Sequence, residues 1–246
     1  MPELTAAGPV LVHFFDFAQL NSVRSLPYVR AWHDRYAAAG LTVLGVHSPR
    51  FPFTAGHEAL AGAVERLGIA YAVAQDSSYA IWHDYGTRGW PSLFLWNTGR
   101  ALAYFHFGEG EYRATEEAIQ EELRVHDAFA ELPEPLEPLR ATDTPGALVA
   151  PPSDEVFPGG EPKEPWRPAP GEALRLDYGA GGAHAALTGR GELRVSLDGG
   201  PERHLAVDGP ALLELAEHPR HEEHSLALRI EGEIELYSVA FAAGMP

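Results

Sequence analysis

Histidine is the most prominent chemistry-bearing side chain in this 246-residue sequence: there are twelve, and the run HPRHEEH holds His218, His221 and His224. Imidazoles three residues apart share one face of a helix, and the intervening glutamates could add oxygen ligands, a donor set suited to zinc or nickel. Pro219 and the setting between strand-like runs point instead to a loop, which fixes no ligand geometry. The reading is therefore a solvated charged loop, with no metal and no cofactor. Ser22 has no G-x-S-x-G elbow around it and no His–acid pair beside it, so a capping or turn serine is expected rather than a nucleophile. The glycine-rich GAGG at residues 179–182 precedes no helix and makes no phosphate loop. Glu109, Glu111, Glu116, Glu117, Glu121 and Glu122 form an acidic patch that solvation of an exposed helix face explains. Cysteine is absent altogether, which removes the thiolate that disulfide exchange and thiol-based peroxide reduction both require.

With 18 basic against 35 acidic residues the formal charge is -17, so nucleic acid and anionic membrane surfaces are repelled on average. No stretch reaches the roughly 18 consecutive apolar residues of a membrane span. The start, MPELTAAGPVLVHFFDF, lacks a basic n-region and a small-residue cleavage site. As written, the chain is expected to be cytoplasmic; an excised fragment or mature form would be extracytoplasmic.

Eleven prolines between Glu131 and Pro170 exclude helix and central strand, because proline lacks the amide donor and clashes with the preceding turn. The expected organisation is residues 1–130, a proline-rich linker or strap over 131–170, and a second domain over 171–246. Ahead of the strap, Val10–Phe17 and Leu41–His47 are apolar runs of the buried-strand type. Leu26, Val29, His33 and Tyr36 recur at helical spacing and stop at Gly40, while Leu60, Val64 and Leu67 mark a second helix ended by Gly68. A short helix over Tyr79–Tyr85 leads to PSLFLWN and ALAYFHFG, which read as a hairpin across Thr98–Arg100. Thr115 is expected to cap a last helix whose first turn holds Glu116 and Glu117. The order is β-α-β-α-(β-α)-β-β-α, an α/β domain with a central mixed sheet.

Beyond the strap, short alternating runs at Leu174–Tyr178, Leu193–Leu197, Leu226–Ile230 and Leu236–Phe241 are separated by breaks such as GAGG, TGRG and DGG. They predict a small all-β sandwich or jelly roll, with the strap as a possible source of one strand. A polysaccharide could bind such a domain by stacking on exposed rings. The rings are few, Tyr178, Tyr237 and Phe241 with Trp166 just before, and a core role for Tyr237 and Phe241 is the simpler reading.

The segment VLVHFFDFAQLNSVRSLPYVRAWHDRYAAAGLTVLGVHSPRFPF, followed by YGTRGWPSLFLWNTGR and GEGEYRATEEAI, resembles the TlpA-like and AhpC/TSA-like branch of the thioredoxin superfamily over about residues 8–125. It looks closest to the extracytoplasmic part of DipZ-type proteins, in which a carbohydrate-binding-module-like sandwich follows the thioredoxin domain; PSDEVFPG is a faint echo of a family motif. In working members the first strand leads into Cys-x-x-Cys at a helix start, where the environment lowers the first thiol's pKa. Matching through Arg24–Tyr28 places Gln19 at the attacking position and Ser22 at the resolving one, so no catalytic residue remains. The resemblance makes Pro91, after Trp90, the cis-proline facing that turn. It implies one of two things: a residual groove of Phe15, Phe17, Gln19, Ser22, Trp90 and Pro91 that takes a peptide or protein by backbone hydrogen bonds, or aromatics that are core and a proline that only fixes the fold. The functional expectation is a redox-inactive thioredoxin-like protein acting as a binding or interaction module. The alternatives are an enzyme with non-thiol chemistry in the same cleft and a polysaccharide-binding protein working through its tail.

Overall fold

The computed structural model describes residues 7–169 and 171–246. Counting described residues only, its contacts divide the chain into two compact units. The first holds residues 7–16, 21–49 and 60–145; the second holds 17–20, 50–59, 146–169 and 171–246.

In the first unit the apolar runs form strands β1 (Val10–Phe15), β2 (Thr42–His47), β3 (Ala72–Gln75), β4 (Ser92–Trp96) and β5 (Leu102–Phe107), in the spatial order β3-β2-β1-β4-β5. β1 is parallel to β2 and β2 to β3, while β4 is antiparallel to both β1 and β5. Every residue of β1 is buried, as a central strand covered on both faces requires. The helices are α1 (Leu20–Tyr36), α2 (His57–Arg66), α3 (Ala80–Tyr85) and α4 (Tyr112–His126). Strand–helix order and mixed sheet together make a thioredoxin-like α/β fold. Gly40 takes φ 106° and donates its N–H to Ala37 O, closing the turn after α1 in the left-handed conformation that glycine adopts without a Cβ clash.

Two sequence expectations fail at α4. Its cap is Glu111, at φ 49°, and not Thr115; Thr115 is buried one turn inside, its hydroxyl donating to Glu111 O at 2.9 Å. Glu116, expected on a solvated face, is also buried. Its carboxylate accepts from Tyr36 Oη at 2.6 Å and from the Leu136 N–H at 2.9 Å, so one glutamate satisfies two donors that would otherwise be desolvated without a partner. Residues 131–145 of the proline-rich segment are held to the first unit in this way. Gln120 donates to Pro133 O, the Leu139 N–H to Tyr28 Oη, and the Arg140 guanidinium to Arg24 O and Asp143.

The second unit is all-β, with strands β6 (Leu174–Leu197), β7 (Arg203–Asp208) and β8 (Ala211–Ala242) in the order β7-β6-β8. Its sequence reads as several short strands, yet β6 and β8 are long and wind past each other twice. Ala185 pairs with both Leu213 and Val239, and Leu226 with both Leu176 and Leu197. Between the windings lies a core that includes Tyr178, Leu187, Leu193, Leu228, Leu236 and Phe241. Within the same unit Ala150, Val156 and Trp166 of the proline-rich segment make isolated bridges to Gly244, Val239 and Leu236. Leu20 packs with Leu212, Ala240 and Ala242.

The TGRG break is a bend inside β6. Gly189 sits at φ +114°, and a Cβ there would lie 2.0 Å from Glu233 O, a distance no real Cβ tolerates. Gly189→Ala is therefore expected to lower stability by on the order of 3 kcal/mol through strain and overpacking. An unchanged urea midpoint would show that the bend has another way to form.

Candidate functional site

Five of the six residues that the resemblance gathers into a groove are buried, and Trp90 alone is partly open. Phe15 closes β1 with its ring stacked on His13 at 5.3 Å and edge-on to His47 at 5.5 Å. Ser22, 0% exposed, turns its hydroxyl oxygen back to accept the Asp16 N–H at 3.2 Å. This is an α1 side chain tying down the end of the preceding strand, a turn role and not that of a nucleophile. Trp90 donates its indole N–H to Ser48 O at 2.8 Å and leans on Trp82 at 4.4 Å. The Trp90–Pro91 bond is cis and leads directly into β4. Phe17 and Gln19 belong to the second unit, at 1% and 8% exposure.

Behind Ser22 lies a polar cluster that no sequence motif announces: His13, Asp16, Ser25, His47, Ser48 and Asp76, all buried. Ser48 joins three elements. Its N–H donates to Phe15 O, its carbonyl accepts from Trp90, and its hydroxyl donates to Asp76 Oδ2 at 3.0 Å. Asp76 in turn accepts the Ile81 and Trp82 N–H groups at the start of α3, a carboxylate at a helix N-terminus where the dipole favours negative charge. His47 Nε2 stands 3.7 Å from Asp16. Burial lowers the His47 pKa while Asp16 pulls it the other way, and burial alone pushes His13 down to about 3. The only sequence signal for this cluster was Asp16 itself, a carboxylate inside an otherwise apolar run.

A serine beside a histidine suggests hydrolytic chemistry, but the donor directions argue against it. Ser25 gives its proton to Ser22 O at 2.7 Å, and His13 Nε2 is 3.4 Å from the same hydroxyl. A nucleophilic serine must hand its proton to the base and meet a substrate. Here the proton is committed to a backbone carbonyl and both side chains are shut away from solvent. The arrangement ties α1 to β1 inside the fold.

In the second unit Tyr178, Tyr237 and Phe241 are buried, so none offers the exposed ring face that sugar stacking needs. Tyr237 packs instead on Phe51 and Phe53. The HPRHEEH run is not a loop. It lies within β8, where Glu222, Glu223 and His224 pair with Ala180, Gly179 and Tyr178 of β6. The relevant spacing is thus the two-residue period of a strand, which puts Glu222 and His224 on one face. His218, Glu222 and His224 come together, whereas His221 does not join them.

No family model matches the chain. It is 31% identical over 175 residues to protein DipZ of Mycobacterium tuberculosis and, equally, of Mycobacterium bovis, covering 71% of this chain and 23% of the DipZ length. It is 28% identical over 119 residues to NHL repeat-containing protein 2 of Gallus gallus, covering 44% of this chain and 16% of that protein. The chain thus spans less than a quarter of the curated relatives it matches. Among solved structures it is similar to a thioredoxin-like protein in the oxidised form (21% identity, 51% of this chain and 84% of the other, TM-score 0.47). It is also similar to a thiol-disulfide isomerase from Corynebacterium glutamicum (21% identity, 50% and 85%, TM-score 0.43).

Proposed function

We propose, from the premise that the chain is a thioredoxin-like relative of DipZ with no thiol, that it is a redox-inactive interaction module. The observation that supports this reading is that Gln19 and Ser22, the residues the resemblance puts where the thiols would stand, are both buried and that the serine hydroxyl is used inside the fold. Without a thiolate, exchange has no route at any pH. The framework that in an oxidoreductase would present the turn is retained around it as packing. A protein partner fits this reading better than a small molecule, since β5 is an edge strand with Leu102 and Phe105 exposed, and an open edge can receive an extended peptide. Peptide capture at Phe15, Phe17, Gln19, Ser22, Trp90 and Pro91 would first require the turn to open. Among the described residues no helix is long and apolar enough to cross a membrane.

One experiment with two arms tests this. Purified protein should give no insulin reduction with dithiothreitol above background; robust turnover would overturn redox inactivity. In the second arm Gln19→Cys supplies a single reporter thiol, whose maleimide labelling in the native protein should be slower than in denaturant by at least about 100-fold, the protection expected of a group reached only through local opening. Equal rates would mean that the turn is accessible and would return the peptide to the old groove.

A further inference from the structure

We propose that His218, Glu222 and His224 form a binding site for a divalent transition-metal ion of the zinc class, set on β8 in the second unit. One ligand atom from each lies within 4.8 Å of the other two. His224 Nε2 stands 3.4 Å from Glu222 Oε2. Bonds of about 2.0–2.2 Å around a tetrahedral ion place two donors about 3.4 Å apart, so this pair already has the spacing that one ion demands. The imidazole rings of His218 and His224 stack at 3.9 Å, so His218 must turn its ring to complete a three-ligand set with one position for water.

The rings are oriented by partners on their other sides, as metal-binding histidines usually are. His224 Nδ1 is 2.7 Å from Asp198 Oδ2, and Asp198 is itself fixed by the Ser225 N–H at 2.8 Å. With Nδ1 donating to that carboxylate, Nε2 carries the lone pair. That nitrogen is buried and makes no hydrogen bond among the described residues; it faces Glu222 Oε2 at 3.4 Å instead, and a lone pair held against a carboxylate asks for a cation between them. His218 Nε2 is 2.8 Å from Tyr178 Oη, and Tyr178 is immobilised by stacking on Phe241 at 4.7 Å. Glu222 and Asp198 together bring two negative charges, which balance a divalent cation on neutral imidazoles. Strand pairing sets half of the site in advance: β6 carries Tyr178 opposite His224 and Ala180 opposite Glu222, so the backbone ladder fixes the Glu222–His224 spacing before any ion arrives.

The test is calorimetric titration of the chelator-treated full chain with zinc chloride, paired with Co2+ absorption as a report of ligand geometry. One ion per chain is expected, with visible Co2+ ligand-field bands. His224→Ala and the conservative Glu222→Gln should each weaken zinc by at least about 100-fold, Asp198→Asn by about 10- to 100-fold, and His126→Ala in the first unit by nothing. Glu222 is exposed, so Glu222→Gln keeps the test valid should His224→Ala fold poorly. Absence of saturable binding, or equal zinc affinity in wild type, His224→Ala and Glu222→Gln, would overturn the site.

Discussion

As pH falls from 6.5 towards 3, the protein is expected to lose stability along a slope that His13→Gln removes. His13 is fully buried in β1, its Nδ1 has no hydrogen-bond partner among the described residues, and burial drives its pKa from 6.5 to about 3. The unfolded chain therefore takes up a proton near pH 6.5 that the folded chain refuses until about pH 3. Stability from this group is complete above 6.5 and drains away between the two values. A shift of that size is worth on the order of 4 to 5 kcal/mol at about 1.4 kcal/mol per unit, comparable with the whole stability of a small domain. His47 titrates in the same direction, with Asp16 opposing part of the effect. Urea midpoints of wild type and His13→Gln at pH 7.5, 6, 5 and 4.5 should converge as the pH drops. Glutamine keeps an N–H for Ser25 Oγ but cannot be protonated. Parallel curves would mean that His13 carries its proton inside the fold, and would remove the account of the buried cluster given above.

Glu116→Ala is expected to destabilise the first unit by about 3 kcal/mol, the order found when one partner of a buried charged network is deleted. The carboxylate is 1% exposed and is approached by the Tyr36 hydroxyl, the Leu136 N–H and, at 3.6 Å, Arg35 Nε. Gln120 Nε2 still donates to Tyr36 Oη, but the Tyr36 O–H and the Leu136 N–H both lose their acceptor. The damage should therefore spread unevenly, with faster amide exchange at Leu136 and protease cutting within 131–145 before global unfolding. Glu116→Gln, which can still accept, should cost about half as much. A loss below about 0.5 kcal/mol with unchanged exchange at Leu136 would show that the proline-rich segment is held by its other bonds, those at Tyr28 and Arg140.

Much of the first unit was legible because its signals are local. The apolar run of β1, the heptad-like return of Leu26, Val29, His33 and Tyr36, and the stop at Gly40 each reflect geometry over a few residues. Thr115 misled for a related reason. A threonine before two glutamates fits a helix start, but Glu111 enters the left-handed region one turn earlier, and the Thr115 hydroxyl turns back to Glu111 O. In the second unit TGRG suggested a break because glycine usually interrupts strands; at Gly189 it bends a strand that continues. At HPRHEEH the residue types fit a helical period or a proline-set loop, and nothing local reveals the strand pairing that puts Glu222 beside His224 or brings Asp198 to it.

The sequence by itself determined that this chain offers no thiolate, since composition alone decides whether one can exist. It also determined the order of strands and helices in the first unit. Only the tertiary structure decided that the turn is buried, that Glu116 anchors the chain twenty residues ahead of it, and that Asp198 and Tyr178 face His224 and His218. Those facts depend on which distant strands pair and in what register, a property set by the packing of the whole core and invisible in any short window of residues.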